Sequence, residues 1–307
     1  MILSCGEALI DMLPRETTAH EPAFAPYPGG AVFNTAIALG RLGAPAGFFS
    51  GLSTDMFGEM LTEALAASDV DTETAAVSDR PTTLAFVKLT DGQASYAFYD
   101  ENTAGRMLTP GDLPGLPAGV QALFFGGISL VGEPCGSAYE ALMLREAPGR
   151  VTMIDPNIRP SFITDEAAYR ARILRMIGAA DIVKASDEDL HWLLGPGETG
   201  ALARSLLERG PSLICLTEGA AGARGIVPGG EVRVPATRVE VADTVGAGDT
   251  FNAGVLAALH KLGALESKAA IRGLDDKVLT QALTLGVRAA AITVSRAGAN
   301  PPWVSEL

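Results

Sequence analysis

The chain has 307 residues, enough for one large α/β unit or two smaller ones, and 48% of them are hydrophobic, ample for a buried core. A formal net charge of −13 leaves no basic surface for nucleic acid and disfavours an anionic membrane. The three cysteines, Cys5, Cys135 and Cys215, are scattered and odd in number, which speaks against a metal pair or disulfide framework and for buried thiols in a reducing cytoplasm.

Ile2–Cys5 reads as a short buried strand, in an N-terminus without a basic region that meets Glu7 and Asp11 early. Neither a signal peptide nor an apolar run of transmembrane length is expected. Ala8-Leu9-Ile10 continues as a second apolar run carrying Asp11, followed by a proline-rich stretch to Pro28. Gly29-Gly30 precedes a helix expected over residues 34–42 and stopped by Gly43. Residues 46–51 read as another buried strand, and residues 53–58 start an amphipathic helix. Residues 82–90 and 94–99 read as the arms of a β-hairpin turning at Asp91-Gly92. From residue 122 the pattern becomes regular. Apolar strands at 122–125, 151–154, 181–183 and 213–216 alternate with helical runs near 138–147, 166–177, 188–194 and 201–209. That alternation predicts a parallel sheet covered on both faces. Gly229-Gly230 marks a late hairpin, residues 238–241 are strand-like, and helices are expected over 251–262 and near 277–291. No linker or internal repeat divides the chain.

The densest chemistry lies between that strand-like run and the helix after it, in Asp243-Thr244-Val245-Gly246-Ala247-Gly248-Asp249-Thr250-Phe251. Glycines at a helix start let the backbone approach a ligand, and the free N–H groups of the first turn make an anion hole there. A carboxylate does not bind an anion. Asp249 makes sense in such a hole if the anion is transferred to a group that Asp249 deprotonates. Taken singly, an Asp at a helix start is an N-cap and Gly-Ala-Gly a tight turn; two glycines and two aspartates together point to function.

This stretch closely resembles, without a break, the C-terminal motif of the ribokinase-like (PfkB) carbohydrate kinases, Asp-Thr-x-Gly-Ala-Gly-Asp-x-Phe. Gly29-Gly30-Ala31-Val32-Phe33-Asn34-Thr35-Ala36 is similar to the N-terminal motif, with Val32 and Phe33 in place of small residues or proline, and Asp55 and Gly58 match a further Gly-x-Asp-x-x-Gly. Asp155-Pro156-Asn157-Ile158-Arg159 resembles the family's Asp-x-Asn-x-Arg. Ser186 and Asp189 stand where the family has Asn-x-x-Glu, and Thr217-Glu218-Gly219-Ala220-Ala221-Gly222 resembles its Thr-x-Gly-x-x-Gly. Other nucleotide motifs are missing, since Gly-Lys never occurs and the dinucleotide fingerprint fails at Phe251.

The resemblance implies a three-layer α/β/α domain over residues 1–307, with a mostly parallel sheet and a small β-sheet lid from about residues 11–30 and 82–104. It implies Asp249 as base, beside the hole made by Gly246, Ala247 and Gly248. The sugar is expected at Asp11, Gly29, Gly30, Asn34, Tyr99, Arg159 and Asp249. ATP is expected at Lys184, Ser186, Thr217, Gly219, Gly222, Gly246 and Gly248, with Mg²⁺ reached through water from Asp189. A K⁺ site is implied around Asp243, Val245, Thr293, Arg296 and Gly298. Pro302 stands where some ribokinases supply a serine hydroxyl, so weak or absent K⁺ activation is expected.

The expected activity is ATP-dependent phosphorylation of a sugar primary hydroxyl. Residues 99–104 and the Asp-Pro-Asn-x-Arg form look most like the fructokinase-like members, which puts fructose ahead of 2-keto-3-deoxygluconate and ribose. Kinases of the acid usually carry an Arg where Asp100 stands, and Asp100 and Glu101 are expected to repel a carboxylate. A non-catalytic sugar or nucleotide sensor on the same fold is the alternative of another class, and the carboxylate in the anion hole argues against it. Further expectations are a homodimer through the lid and no nucleic-acid or membrane partner.

Overall fold

Apolar strand segments alternating with amphipathic helices build a sheet covered on both faces. The computed structural model describes residues 1–90 and 93–307, so the turn expected at Asp91-Gly92 lies outside the described residues. The strands are β1 (Ile2–Cys5), β2 (Leu9–Glu16), β3 (Pro22–Gly29), β4 (Ala46–Phe49), β5 (Gly51–Ser53), β6 (Val70–Asp71), β7 (Ala76–Ser78), β8 (Leu84–Thr90) and β9 (Gln93–Tyr99). They continue with β10 (Ala122–Gly126), β11 (Val151–Asp155), β12 (Ile182–Ser186), β13 (Leu213–Thr217), β14 (Ala223–Val227) and β15 (Gly230–Val234). The helices are α1 (Ala31–Arg41), α2 (Met56–Ala66), α3 (Cys135–Glu146), α4 (Glu166–Ala179), α5 (Asp187–Leu194), α6 (Thr199–Leu207), α7 (Ala247–Lys261), α8 (Lys268–Arg272) and α9 (Asp276–Val294).

Among the described residues the main sheet has the strand order β15-β14-β13-β12-β11-β10-β1-β4-β6. Neighbours from β13 to β6 run parallel, and β14 and β15 turn back antiparallel at one edge. Strand alternation sends Ile2, Phe48, Phe124 and Met153 to one face, under α1, α7 and α9. It sends Leu3, Phe49, Phe125 and Ile154 to the other, under α3 to α6. Each large apolar side chain fully buried in these layers contributes about 1.5–3 kcal/mol.

α7 packs against both α1 and α9. A Cβ on Gly254 would lie 2.6 Å from the Gly286 Cα, so only glycine lets α7 come this close to α9. That contact fixes the helix whose first turn carries Asp249. Among the described residues no helix is long and apolar enough to cross a membrane.

A separate sheet has the order β3-β2-β8-β9. Most of the proline-rich stretch is therefore strand. Pro22, Pro26 and Pro28 share one parity on β3, an edge strand, where a missing N–H can face solvent. Pro14 lies beyond the residues, Ile10 to Met12, through which β2 pairs with β8.

Other boundaries differ from the sequence expectations. The strand over 46–51 breaks at Ser50 into β4 and β5, and β5 pairs with β7 instead of extending the main sheet. α1 and α7 begin at Ala31 and Ala247, earlier than expected, immediately after Gly30 and Gly246. Residues 238–241 join no strand, and Val239 and Val241 stay 38% and 61% exposed. The N–H groups just beyond them, of Ala242 and Asp243, instead donate to the Val294 carbonyl at 2.8 and 3.2 Å.

Candidate active site

In a parallel sheet the ligand crevice opens where the strand order reverses, outside the carboxyl ends of the strands. Here the chain leaves β1 toward β4 on one side and returns to β10 on the other. Glu7, just past β1, bridges that point. Its Oε1 accepts the N–H groups of Ala31 at 2.9 Å and Val32 at 3.4 Å, and its Oε2 accepts that of Ser129 at 3.2 Å. Gly30 has no side chain to cap α1, so Glu7 does it from a distance. Burial pushes the Glu7 carboxyl up, and the backbone donors only partly offset this.

With α1 anchored, Asn34 projects from its first turn rather than capping it, and Asn34 Nδ2 donates to Asp249 Oδ2 at 2.9 Å. The Thr35 hydroxyl donates to the Asp249 carbonyl at 3.2 Å. Asp249 lies in the first turn of α7 and is buried. Burial pushes its carboxyl up to about 7, reinforced by Asp155 and Glu7 and opposed by Asn34 and Lys184. Gly246, the residue before α7, sits at φ 78°, a left-handed conformation that suits glycine. It turns the chain into the first turn of α7, where the Ala247 N–H donates to the Thr244 carbonyl at 3.4 Å.

Asp243 ties this loop down. Its Oδ1 accepts the Val245 N–H at 3.0 Å and its Oδ2 the Gly298 N–H at 3.0 Å. The Thr293 hydroxyl donates to that of Thr250 at 3.0 Å, and Arg296 pairs with Glu306. The five residues of the implied K⁺ set thus lie on two neighbouring segments, the glycine loop and the end of α9 with the turn after it. Pro302 is buried.

Asp155, Ser186 and Thr217 end three adjacent strands. Asp155 Oδ1 accepts the Asn157 N–H at 3.1 Å, and its Oδ2 pairs with the Lys184 ammonium at 3.1 Å. Ser186 and Asp189 form a capping box on α5: the Asp189 N–H donates to Ser186 Oγ at 3.0 Å, and Asp189 Oδ2 accepts the Ser186 N–H at 2.9 Å. Asp189 Oδ1 accepts the Ile158 N–H at 2.8 Å, so this carboxylate is committed to the protein at both oxygens. Arg159 is exposed and makes no ion pair among the described residues. Gly219 and Gly222, at φ 52° and 100°, close a tight turn after β13, next to Thr217.

The small sheet carries Asp11 on β2, beside Gly29 at the end of β3. Asp11 Oδ2 occupies the space a side chain on Gly29 would take, 2.3 Å from its Cβ position. Burial pushes the Asp11 carboxyl up to about 6, and among the described residues it accepts no hydrogen bond. Register corrects one sequence expectation. Asp11 aligns with Ala85 and Ala85 with Phe98, whereas Tyr99 aligns with Leu84 and Leu84 with Ile10. Phe98 therefore shares a face with Asp11, and Tyr99, 63% exposed, lies on the opposite one against Phe86. Tyr99 is not placed to touch a sugar held by Asp11.

Phe98 stacks edge-on against Phe162, with ring centroids 4.6 Å apart, in the wall of a cavity of about 540 Å³ that Glu7, Asp100, Arg106 and Glu133 also line. The Asp100 carboxylate accepts from the Arg106 guanidinium, whose Nε donates to the Glu133 carbonyl at 2.6 Å. The Asp100 charge is thus paired with Arg106, while Glu101 is exposed and makes no ion pair among the described residues.

Residues 1–306 match the family described as pfkB family carbohydrate kinase. The chain belongs to this family. A fructokinase of Rhizobium leguminosarum bv. trifolii is 57% identical over 279 residues, 91% of this chain and 85% of that protein. The crystal structure of a fructokinase with bound ATP from Xylella fastidiosa superposes with a TM-score of 0.89 at 29% identity, covering 99% of this chain and 96% of that one. A fructokinase from Vibrio cholerae O395, in a fructose, ADP and calcium ion bound form, gives 0.83 at 26% identity, covering 97% of this chain and 94% of that one. The fold is ribokinase-like and the chain is a carbohydrate kinase.

For such a kinase the sequence reading missed Glu7, Asn252 and Phe98. Glu7 follows directly on a buried strand, the place where a parallel sheet presents side chains to its crevice, and that rule alone could have found it. Asn252 sits one turn beyond Asp249 and reaches Asp155, which no local spacing reveals. Phe98 differs from Tyr99 only by strand parity, which needs the register.

Proposed function

We propose that this kinase transfers the γ-phosphoryl group of ATP to a primary hydroxyl of fructose. Asp249 carries the reading: a buried carboxylate at a helix N-terminus, pushed up to about 7 and oriented by Asn34, suits a general base at neutral pH. The sugar oxygen attacks the γ-phosphorus, its proton passes to Asp249, and the bond to the β,γ-bridging oxygen breaks toward ADP. The N–H groups of Gly246, Ala247 and Gly248 stabilise the charge that develops on the transferred group. Asp11, beside Gly29 and Gly30, is an acceptor for other sugar hydroxyls, and Arg159 is a cation near the phosphate path. The named relatives support fructose as the sugar.

The nucleotide lies along Lys184, Ser186, Thr217, Gly219 and Gly222 in this reading. Among the described residues no group of three or more His, Cys, Asp or Glu could hold a metal ion, and Asp189 is committed to its capping box and Ile158. Mg²⁺ therefore fits best as an ion carried by the ATP phosphates, where it supplies charge neutralisation, with protein contact through water. K⁺ dependence is weak or absent in this reading, because Pro302 offers no hydroxyl and both Asp243 oxygens accept backbone N–H groups. A saturable rise in rate with K⁺ over Na⁺ at fixed ionic strength would count against that.

The chain acts as one kinase domain whose lid, residues 11–30 and 82–104, excludes water from the transfer. Cys5, Cys135 and Cys215 are free and buried, which suits a reducing cytoplasm. On the outer face of the lid Phe24 and Tyr99 are 49% and 63% exposed, and a second copy covering this apolar face makes a homodimer. Sedimentation of wild type against Tyr99→Lys tests the dimer. ADP release measured over a panel of sugars tests the function: fructose is expected to give the highest kcat/KM, and a panel without any sugar-dependent ADP release contradicts it.

A further inference from the structure

Lys184 lies on β12, two residues before Ser186. Its side chain is buried, with the ammonium 3.1 Å from Asp155 Oδ2 and 3.4 Å from Oδ1. The same Oδ2 accepts Asn252 Nδ2 at 2.7 Å. Asp155 ends β11, Lys184 lies on the adjacent strand β12, and Asn252 is on α7, one turn beyond Asp249. The ammonium is thus clamped between the sheet edge and the helix that carries the base. Gly248 forms the opening of this clamp. A Cβ there would lie 3.5 Å from Lys184 Nζ, and among the described residues no other atom outside the local backbone comes within 4 Å of it. The bare glycine leaves the ammonium facing the anion hole.

Asn252 adds a second observation. Its Oδ1 is buried and meets no donor among the described residues. An orphaned acceptor costs stability, so the amide is kept for what its nitrogen does, which is to orient Asp155. Burial alone pulls the Lys184 ammonium down, but Asp155 and Asp189 more than offset this and keep it charged. A fixed charge in a site of low dielectric acts far more strongly than one in water.

We propose that Asp155 and Asn252 are positioning residues that hold the Lys184 ammonium at the mouth of the anion hole, and that Lys184 is a catalytic residue acting on the phosphoryl group in transfer. The proposal rests on the phosphoryl-transfer reading above. In that step the oxygen–phosphorus bond to the sugar forms, the bond to the β,γ-bridging oxygen breaks, and ADP leaves with the electron pair. The hydroxyl proton goes to Asp249, and Lys184 neither gains nor loses one.

A purely structural ion pair is the rival account, and kcat of folded Lys184 variants, read beside the pH profile, separates the two. The groups that act on Asp249 are Asn34 from α1, Glu7 beyond β1, Asp155 from β11 and Lys184 from β12. Lys184 holds the Asp249 carboxyl down, and Asp155 pushes it up. The experiment compares wild type, Lys184→Met, Lys184→Gln and Asp155→Asn in fructose-dependent ADP release with saturating ATP and Mg²⁺ across the neutral pH range. Thermal unfolding is recorded for each protein. Either Lys184 variant is expected to lower kcat by about 10²–10³-fold, the loss typical of removing one transition-state donor, with little change in the fructose KM. The acid limb of kcat moves to higher pH without Lys184 and to lower pH in Asp155→Asn. A folded Lys184 variant that keeps its kcat, or acid limbs that move in the same direction, overturns the proposal. Wild type without fructose-dependent ADP release overturns the phosphoryl-transfer reading instead.

Discussion

Asn34 and Asp249 lie 215 positions apart in the chain and share a hydrogen bond of 2.9 Å, from the first turn of α1 to the first turn of α7. The bond holds one carboxylate oxygen, Oδ2, and leaves Oδ1 without a donor among the described residues. A base needs this arrangement, oriented on one side and open on the other.

The rate should follow the ionisation of Asp249. With its carboxyl pushed up to about 7, kcat is expected to fall on the acid side of neutrality, with a limb near that pH. A kcat that stays flat down to about pH 5 would remove Asp249 from the role of base.

Stability should carry the opposite mark of the same group. Its folded pKa of about 7 lies above the 3.8 of an ordinary Asp, so between those values the folded state binds more protons than the unfolded state. The contribution is fully present below the unfolded value and is lost as pH rises through the folded one. Asp249→Asn, which never ionises, should therefore be more stable than wild type above neutrality. A tenfold change in proton affinity is worth about 1.4 kcal/mol, which sets a ceiling of about 4 kcal/mol. Urea unfolding of both proteins on the alkaline side measures it, and a variant less stable than wild type there contradicts the assignment.

Asn34→Ala tests the orienting bond. Alanine suits a helix interior, so the fold should survive. A hydrogen bond to a charged group is worth about 1.5–3 kcal/mol, so kcat/KM for fructose should fall by about 10–100-fold. Asn34 holds the Asp249 carboxyl down, so the acid limb should move to higher pH. An unmoved limb would show that the bond does not act on the base.

Gly246→Ala should damage both stability and rate. The residue sits at φ 78°, and an added Cβ would lie 2.7 Å from the Ala299 Cβ. Left-handed backbone at a residue other than glycine costs about 1–3 kcal/mol before any overlap is counted. Adding Ala299→Gly removes the closest contact but leaves the residue 299 Cα at 3.0 Å and the backbone strain, so only part of the lost melting temperature should return.

Much of this was legible in the sequence, and the failures share a cause. The glycine loop, the strand-end motifs and the parallel core are local patterns, and each survives in the fold. Tyr99, the strand-like 238–241 and the charge of Asp100 were misjudged because each depends on a contact that no local period gives. Tyr99 needs the register of β8 and β9, and residues 238–241 needed a strand edge that β15 does not give them. Asp100 needed Arg106, whose pairing across the loop after β9 no helical or strand period predicts.

That pairing recasts the choice between neutral and acidic sugars. Arg106 lines the cavity beside Phe98, with Asp100 as its partner. Wild type should therefore prefer fructose to 2-keto-3-deoxygluconate. Asp100→Ala should release the guanidinium and raise kcat/KM for the acid relative to fructose. A wild type that prefers the acid, or a variant with an unchanged ratio, would mean that the pair does not set this preference.

In the proposed mechanism Asp249 takes the proton as the sugar hydroxyl attacks ATP. Fructose-dependent ADP release by Asp249→Asn, beside direct titration of ATP binding, tests it most directly. General-base catalysis contributes about 10²–10⁴-fold, so kcat should fall by at least that lower bound while ATP still binds. A folded variant that binds ATP and keeps most of its kcat would leave Asp249 as no more than the first-turn residue of α7.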